Sequence, residues 1–272
     1  MEVGWYPAPG KLNLFLHVLG RRRDGYHELQ TVFRIVERAD RLRIALADEL
    51  RFLGPFGDDN LCLRAARALK EHTGCRLGAE IELEKTLPVG GGMGGGSSDA
   101  ATVLLVLNRL WKLELERREL MALGQRLGAD VPLFIFGGNA LGEGVGERLT
   151  ALELPPAWYL VLAPQVAVST KEIFSSALTA GSKRLKIPPF LSGQGKNDLE
   201  PIVTFRHPEV AAQLGWLRRG APLARMTGSG ACVFAEFATE GEAAALHSRL
   251  PPGYKGFVTK GLGRHPLYDW TK

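Results

Sequence analysis

The chain has 272 residues, 45% hydrophobic and 23% charged, with a formal net charge of +5. Those proportions are ordinary for a soluble globular protein, and the basic excess suits an anionic small molecule while being too small and scattered to argue for nucleic acid. Three cysteines, Cys62, Cys75 and Cys232, are too few and too far apart for a disulfide framework or a zinc site, which points to a reducing cytoplasm.

From Lys11 to Val18 apolar and polar residues alternate, predicting a strand with Leu12, Leu14, Leu16 and Val18 on one face. Lys11, Asn13, Phe15 and His17 take the other face, so Lys11 and Asn13 can aim two polar groups into one place. Arg21, Arg22 and Arg23 form a compact basic cluster, read either as a solvated turn or as a ligand contact. Further strands are predicted at Thr31–Glu37, Arg41–Ala47 and Ala79–Lys85; in the last, Glu80, Glu82 and Glu84 form a solvated face. Helices are predicted at Leu61–Thr73, capped by Asn60, at Ser98–Trp111 and at Arg117–Leu127, where Gly128 supplies the left-handed stop.

Pro155 and Pro156 mark a domain boundary, giving domains of residues 1–155 and 156–272, as the length suggests. Beyond it come strand Tyr159–Ala163, helices Lys171–Leu178 and Pro208–Leu217, strands Leu223–Met226 and Cys232–Phe237, helix Glu240–Leu250 and strand Gly256–Leu262. Ala180–Lys196 is rich in Gly, Ser, Lys and Pro and reads as a loop. Strands and helices mixed in both halves make the expected class α+β. The first residues lack the basic and apolar regions of a secretory signal, and no apolar run reaches the roughly 20 residues that span a bilayer. The expectation is therefore no membrane contact. His72, His207, His247 and His265 show no metal-binding spacing and read as surface residues.

The most informative stretch is Pro88, Val89, Gly90, Gly91, Gly92, Met93, Gly94, Gly95, Gly96, Ser97, Ser98 and Asp99. Glycines free the backbone, Ser and Asp start helices, and the apolar run from Thr102 reads as helix. A bare backbone leading into a helix N-terminus offers free N–H groups and a positive dipole end, which together bind phosphate. No lysine follows the glycines, which excludes a Walker A loop, and no acidic residue ends a second strand as dinucleotide binding would require. Asp99 reads as serving the helix dipole rather than as a metal ligand or base. Asp130, before the apolar Val131-Pro132-Leu133-Phe134, reads equally well as a general base or as a helix cap. Gly228, Ser229 and Gly230 sit between two predicted strands, as a hairpin or a close approach to a ligand.

The Pro88–Ala101 run resembles the central motif of the GHMP kinases. Ala8-Pro9-Gly10-Lys11-Leu12-Asn13-Leu14 and Met226-Thr227-Gly228-Ser229-Gly230-Ala231-Cys232 resemble that family's two other motifs, in the family's order. Narrower matches are Arg23-Asp24-Gly25-Tyr26-His27-Glu28-Leu29, Leu127 to Pro132, and Asn197-Asp198-Leu199-Glu200-Pro201. They resemble the branch that phosphorylates the 2-hydroxyl of 4-diphosphocytidyl-2-C-methyl-D-erythritol on the non-mevalonate route to isoprenoids. Gly10 stands where that branch usually has alanine, and Met93 where it usually has leucine.

The resemblance implies a two-domain α+β kinase with a ribosomal-protein-like N-terminal half, which binds ATP, and a ferredoxin-like C-terminal half, which binds the acceptor. It implies ATP and Mg²⁺ as cofactors, with the phosphates on residues 88–98, and a cytidine diphosphate-linked small molecule as partner, in a monomer or homodimer. Asp130 would be the base, and Lys11 would stabilise charge beside it. Asn13, Tyr26, His27, Thr170 and Phe174 would hold the acceptor, and Gly228, Ser229 and Gly230 would close the site. Competing readings are a relative with a homoserine, mevalonate or sugar acceptor, and a nucleotide binder without activity. Tyr26 and His27 favour a nucleobase over the first, and Lys11 with Asp130 argues against the second.

Overall fold

In the computed structural model the chain is described over residues 4–55, 57, 59–176 and 195–271. Two long strands, β1 (Gly4–Arg21) and β2 (His27–Ala47), pair antiparallel along nearly their whole length, from Gly4 opposite Ile44 to Arg21 opposite His27. The strands predicted at Thr31–Glu37 and Arg41–Ala47 are thus one strand, held continuous by the unbroken partner beside it. The register shifts between Pro9 and Lys11, between Asn13 and Phe15, and between Val18 and Gly20. Each shift breaks strict alternation. Leu14 and the adjacent Phe15 therefore share one apolar cluster, while Leu16 and Val18 join another. No shift falls between Lys11 and Asn13, so these two stay on one side.

Among the described residues the first sheet runs β3 (Leu50–Leu53), β4 (Gly78–Glu84), β2, β5 (Ala140–Gly144), β6 (Arg148–Ala151), with β1 added on β2. Helices α1 (Leu61–Thr73), α2 (Gly95–Leu110), α3 (Arg117–Leu127) and α4 (Val131–Phe136) bury one core with Tyr6, Leu42, Ile44 and Ile81 of the sheet. The second sheet runs β10 (Gly256–Lys260), β7 (Trp158–Leu162), β9 (Val233–Phe237), β8 (Arg225–Met226). Helices α5 (Thr170–Ser176), α6 (Glu200–Arg206), α7 (Pro208–Gly220) and α8 (Glu240–His247) belong to this half. A third cluster joins Leu12, Phe15 and Val32 to Tyr159, Val161 and Phe234, so the two sheets share apolar packing. The architecture is α+β, and Pro155 and Pro156 lie in the link between β6 and β7.

Several local expectations are corrected. Asn60 caps α1 as expected, accepting from Leu63 N at 3.0 Å. Gly128 ends α3 at φ 176°, an extended conformation that needs no glycine. Helix α2 begins at Gly95 rather than Ser98, with Gly94 at its N-cap and no side-chain cap. The glycines themselves make the first turn, because Ser98 N already donates to Gly94 O. The short helix that the cap reading of Asp130 implies is present as α4, whereas helix α6 and strands β3, β5 and β6 have no counterpart in the sequence reading, each too brief to establish a period. His265 is buried, with Nδ1 accepting from Leu267 N at 3.0 Å. Burial and the nearby Arg117 push its imidazole down to about 4. The predicted helix Lys171–Leu178 begins at Thr170; its residues 177–178, and residues 180–194 of the predicted loop, lie outside the described residues.

The two departures from the family pattern are one packing event. A Cβ on Gly10 would sit 3.0 Å from Leu87 Cδ2 and 3.1 Å from Met93 Cε, so the methionine's terminal methyl fills the space an alanine would take. Gly10→Ala is therefore expected to cost about 1 kcal/mol of stability alone, the low end of overpacking, and to be neutral or stabilising beside Met93→Leu. Thermal unfolding of the two single variants and the double variant measures the coupling; additive shifts refute it.

Candidate active site

The glycine loop connects β4 to α2 and its backbone is set by what lies against it. Gly92 has φ +76°, and a Cβ there would meet Thr227 O at 2.3 Å. Gly94 has φ +71°, with a Cβ position 3.1 Å from the Phe134 ring and 3.2 Å from Lys11 Cε. Gly92 therefore admits no side chain, and at Gly94 the left-handed backbone would strain any side chain and force Phe134 and the Lys11 stem to shift. The loop runs into the N-terminus of a 16-residue helix, where unpaired N–H groups and the positive dipole end meet. Ser97 borders the cavity beside this loop, whereas Ser98 is fully buried and its Oγ has no partner among the described residues.

Lys11 lies against the loop. Its backbone N donates to Met93 O at 2.9 Å, and its side chain is almost wholly buried. Nζ donates to Asn13 Oδ1 at 2.6 Å and lies 3.3 Å from Asp130 Oδ2. Asn13 is fixed in turn, with Nδ2 donating to Thr31 Oγ1 and its backbone N to Thr227 Oγ1, both at 2.9 Å. Asp130 stands at the N-cap position of α4 but makes no capping bond, so its carboxylate, one-third exposed, is left for the cavity. Gly228 closes the arrangement, since a Cβ there would lie 2.8 Å from Gly92 O and 3.3 Å from Lys11 Nζ.

A second charged cluster lies behind the start of α2. Lys85 Nζ bonds both Asp40 Oδ2 and Asp99 Oδ2, the latter at 2.8 Å. Asp40 Oδ1 also accepts from Thr86 N at 2.6 Å and Leu87 N at 2.8 Å, fixing the approach to the glycine loop. Asp99 is thus not a dipole or capping residue: it pairs with Lys85, because burial leaves a carboxylate little alternative to a cation. Burial pushes Asp99 up to about 7, the Lys85 ammonium pulling it down and the Asp40 carboxylate adding to the rise. Burial pulls Lys85 down, but Asp99 and Asp40 outweigh it and hold the amine above its ordinary value.

Lys11, Asn13, Asp130, the glycine loop, Gly228, Ser229, Thr170 and Phe174 all border one cavity of about 540 Å³. Thr170 Oγ1 and Ser229 Oγ share a hydrogen bond of 2.7 Å, linking α5 to the loop after β8. His27 is buried, its ring 5.6 Å from that of Phe174 and tilted by 38°. Tyr26 stands 65% exposed on the hairpin before β2 and does not border the cavity; neither do His27 and Gly230. Arg21, Arg22 and Arg23 are exposed on the same hairpin.

Sequence reasoning missed Asn60, Cys62, Lys85, Val145 and Gly146, which also border the cavity. For Lys85 a signal existed: it continues the phase of Ile81 and Leu83, which places a cation on the strand's inner face. Among the described residues no helix is long and apolar enough to cross a membrane.

The family model for the GHMP kinases N terminal domain matches residues 60–138, and that for the GHMP kinases C terminal region matches residues 189–255. The chain is 57% identical to a 4-diphosphocytidyl-2-C-methyl-D-erythritol kinase of Nitrosospira multiformis, over 98% of this chain and 94% of that protein. It is 54% identical to the protein of the same description in Thiobacillus denitrificans, over 98% of each. A crystal structure of 4-(cytidine 5'-diphospho)-2C-methyl-D-erythritol kinase matches with a TM-score of 0.87 and 37% identity, covering 96% of this chain and all of that one. A homoserine kinase from Cytophaga hutchinsonii, with a TM-score of 0.72 and 18% identity over 97% of this chain and 96% of that one, shares the fold.

The Asp99 shift has a sign that can be measured. Its folded value lies above the ordinary 3.8, so the folded chain keeps a proton there that the unfolded chain has lost. The resulting stabilisation is full below about 3.8 and disappears as pH rises through about 7. Asp99→Asn removes this titration. Its melting temperature relative to the parent chain should therefore rise between pH 5 and pH 8, as read by thermal unfolding in matched buffers. A difference independent of pH would show that Asp99 does not titrate in this window.

Proposed function

The chain belongs to the GHMP kinases, and from that premise we propose how its residues divide the work of phosphoryl transfer. It uses ATP to phosphorylate the 2-hydroxyl of 4-diphosphocytidyl-2-C-methyl-D-erythritol in isoprenoid precursor synthesis, giving the 2-phosphate and ADP. The observation that carries the assignment of roles is the Lys11–Asp130 pair, 3.3 Å apart in the cavity that the glycine loop borders.

Phosphoryl transfer asks for cradled phosphates, positive charge near the moving group and a carboxylate to take the acceptor's proton. The backbone of residues 90–96 and the first turn of α2 cradle the phosphates. Asp130, without a capping bond of its own, accepts the hydroxyl proton as the acceptor oxygen attacks the γ-phosphorus and the bond to the β-phosphate breaks. Lys11, held by Asn13, supplies the fixed positive charge beside the attacking oxygen. Ser229 and Thr170 continue from this centre toward α5, which supports an acceptor lying against Phe174, with the buried His27 ring packed behind it. The wall of α1 and the end of β4, with Asn60, Cys62 and Lys85, then receives the adenosine.

Mg²⁺ fits these residues in a limited way. Among the described residues no three His, Cys, Asp or Glu cluster to hold a metal, so phosphate oxygens and water would supply most of its ligands, with the Ser97 hydroxyl touching it. When bound it neutralises charge on the phosphates. The three free cysteines support a reducing cytoplasm as the setting, and the same reading takes the enzyme as a monomer or homodimer without a nucleic-acid partner. Pro155 and Pro156 lie between the last strand of the first sheet and the first of the second, which supports a domain boundary at residues 155–156.

Asp130→Asn keeps the size of the side chain and removes its basicity. kcat should fall by about 10²–10⁴-fold, with ATP affinity nearly unchanged. Lys11→Ala should lower kcat as well, and the two losses should not add, because both groups serve one transition state. Steady-state assay of ADP release checks this, and near-native kcat in Asp130→Asn removes it as the base.

The rings tell the acceptor apart from smaller alcohols. Phe174 borders the cavity and the buried His27 ring packs against it, so we take Phe174 as the ring offered to the cytosine and His27 as its support, with Tyr26 outside the cavity; stacking is worth roughly 1–3 kcal/mol per base. Phe174→Ala or His27→Ala should raise the acceptor KM about 5- to 150-fold and leave the ATP KM near its parent value. If alanine at 26, 27 and 174 each leaves the acceptor KM unchanged, the cytidine pocket lies elsewhere.

A further inference from the structure

The segment from Gly195 to Glu200 carries no catalytic group, yet it is stitched to both halves of the site. Leu16 N donates to Lys196 O at 2.9 Å, Asp198 N donates to Leu16 O at 2.8 Å, and Val18 N donates to Asp198 Oδ2 at 2.8 Å. Arg225 adds a stitch from the other side, Nη1 donating to Leu14 O at 2.7 Å and to Gly195 O at 3.1 Å. The segment thereby runs beside β1 a few residues beyond Lys11 and Asn13.

Asn197 lies at the centre of this strap, only 3% exposed, and every hydrogen-bonding atom of its amide faces the backbone. Oδ1 accepts from Leu199 N at 2.9 Å, while Nδ2 donates to Met226 O at 2.9 Å and Gly228 O at 2.8 Å. Those two carbonyls bracket Thr227, whose hydroxyl receives Asn13 N and whose own carbonyl receives Gly230 N at 3.0 Å. Gly228 lies against Lys11 and Gly92, and Ser229 bonds Thr170. One side chain therefore sets the height of a loop that touches the cation, the glycine loop and α5. Glu200 supports the same loop through Met226 N at 3.1 Å and is braced by Arg218 at 2.6 Å.

We propose that Asn197 is a positioning residue for phosphoryl transfer, its amide holding Gly228 and Ser229 at the distance from Lys11 at which the acceptor hydroxyl meets the γ-phosphate. The proposal rests on the reading of Lys11 and Asp130 as the transfer centre. A carboxamide suits this post because it offers two donors from one nitrogen to two nearby carbonyls and an acceptor on the opposite side. No smaller side chain satisfies both carbonyls, and a buried carbonyl without a donor drives the loop to move.

Asn197→Ala in the full-length protein should lower kcat about 10- to 100-fold, the scale of a misplacement near 1 Å, with the ATP KM changed less than about threefold. A loss of packing alone would not act through Lys11, so the deciding readout is the double variant. In the Lys11→Ala background Asn197→Ala should cost less than about threefold more, because the group it positions is gone. Unchanged kcat in Asn197→Ala, or losses that multiply in the double variant, overturns the proposal while leaving the transfer centre intact. Parent-like kcat in Lys11→Ala alone instead overturns the transfer centre, and this proposal with it. If Asn197→Ala does not fold, Asn197→Ser, whose hydroxyl can serve one of the two carbonyls, carries the same comparison.

Discussion

Lys11 is a cation in a place where cations are costly. Its side chain is buried between β1, the glycine loop and the loop after β8, and removing an ammonium from water costs several kcal/mol unless partners replace it. Asn13 Oδ1 at 2.6 Å, Asp130 at 3.3 Å and the Phe33 ring, 5.7 Å from Nζ to its centroid, are those partners. They arrive from β1 itself, from the turn before α4 and from β2. The burial of one charge thus ties together segments more than a hundred residues apart, and displacing any of them exposes the cost.

The glycine loop answers the same constraint from the backbone side. Gly92 lies so close to Thr227 O that no side chain fits, and Cys232 N donates to Gly91 O at 3.1 Å. The loop of the first half and the turn of the second therefore interlock through main-chain atoms, over Lys11. A cradle made of backbone keeps its N–H groups directed at one point whichever side chains surround it, which is what a phosphate needs. The neighbouring Lys85 cluster has a different task. It anchors Asp40, Thr86, Leu87 and Asp99, so the segment before the glycines and the early part of the helix after them are held by one ammonium.

What the sequence revealed follows from how local each cause is. The glycine run, the strand alternation around Lys11 and Asn13, and the Asn60 cap are all written within a few residues, and each predicts its element. The register shifts of β1 are not local, since they depend on what β2 places opposite, so the expected separation of Leu14 and Phe15 onto two faces does not occur. The start of α2 was misplaced for a related reason: Ser and Asp look like caps, but tertiary contacts at Gly92 and Gly94 carry the helical path into the glycines. His265 is polar and near the chain end, yet Arg117 binds the carbonyls of Tyr268 and Thr271 and draws that end into the core. Asn197 could be matched to a motif but given no task, because its partners lie at residues 226 and 228 and are carbonyls, which no pattern of side chains displays.

The distribution of charge in the site follows from the reaction. A transfer with little covalent work for the protein depends on fixed dipoles and distances, so much of the sequence cost falls on groups that never touch the phosphate. Asn13 holds Lys11, Thr31 holds Asn13, and Thr31 Oγ1 in turn donates to Phe15 O. That chain of bonds runs along β1 on both sides of the Asn13–Phe15 register shift. The bulge therefore sits inside the network that orients the cation, and its extra twist is held by hydrogen bonds rather than left to solvent. A strand buried on both faces, with one polar pair turned toward a backbone cradle, is how this chain places a charge without letting water reach most of it.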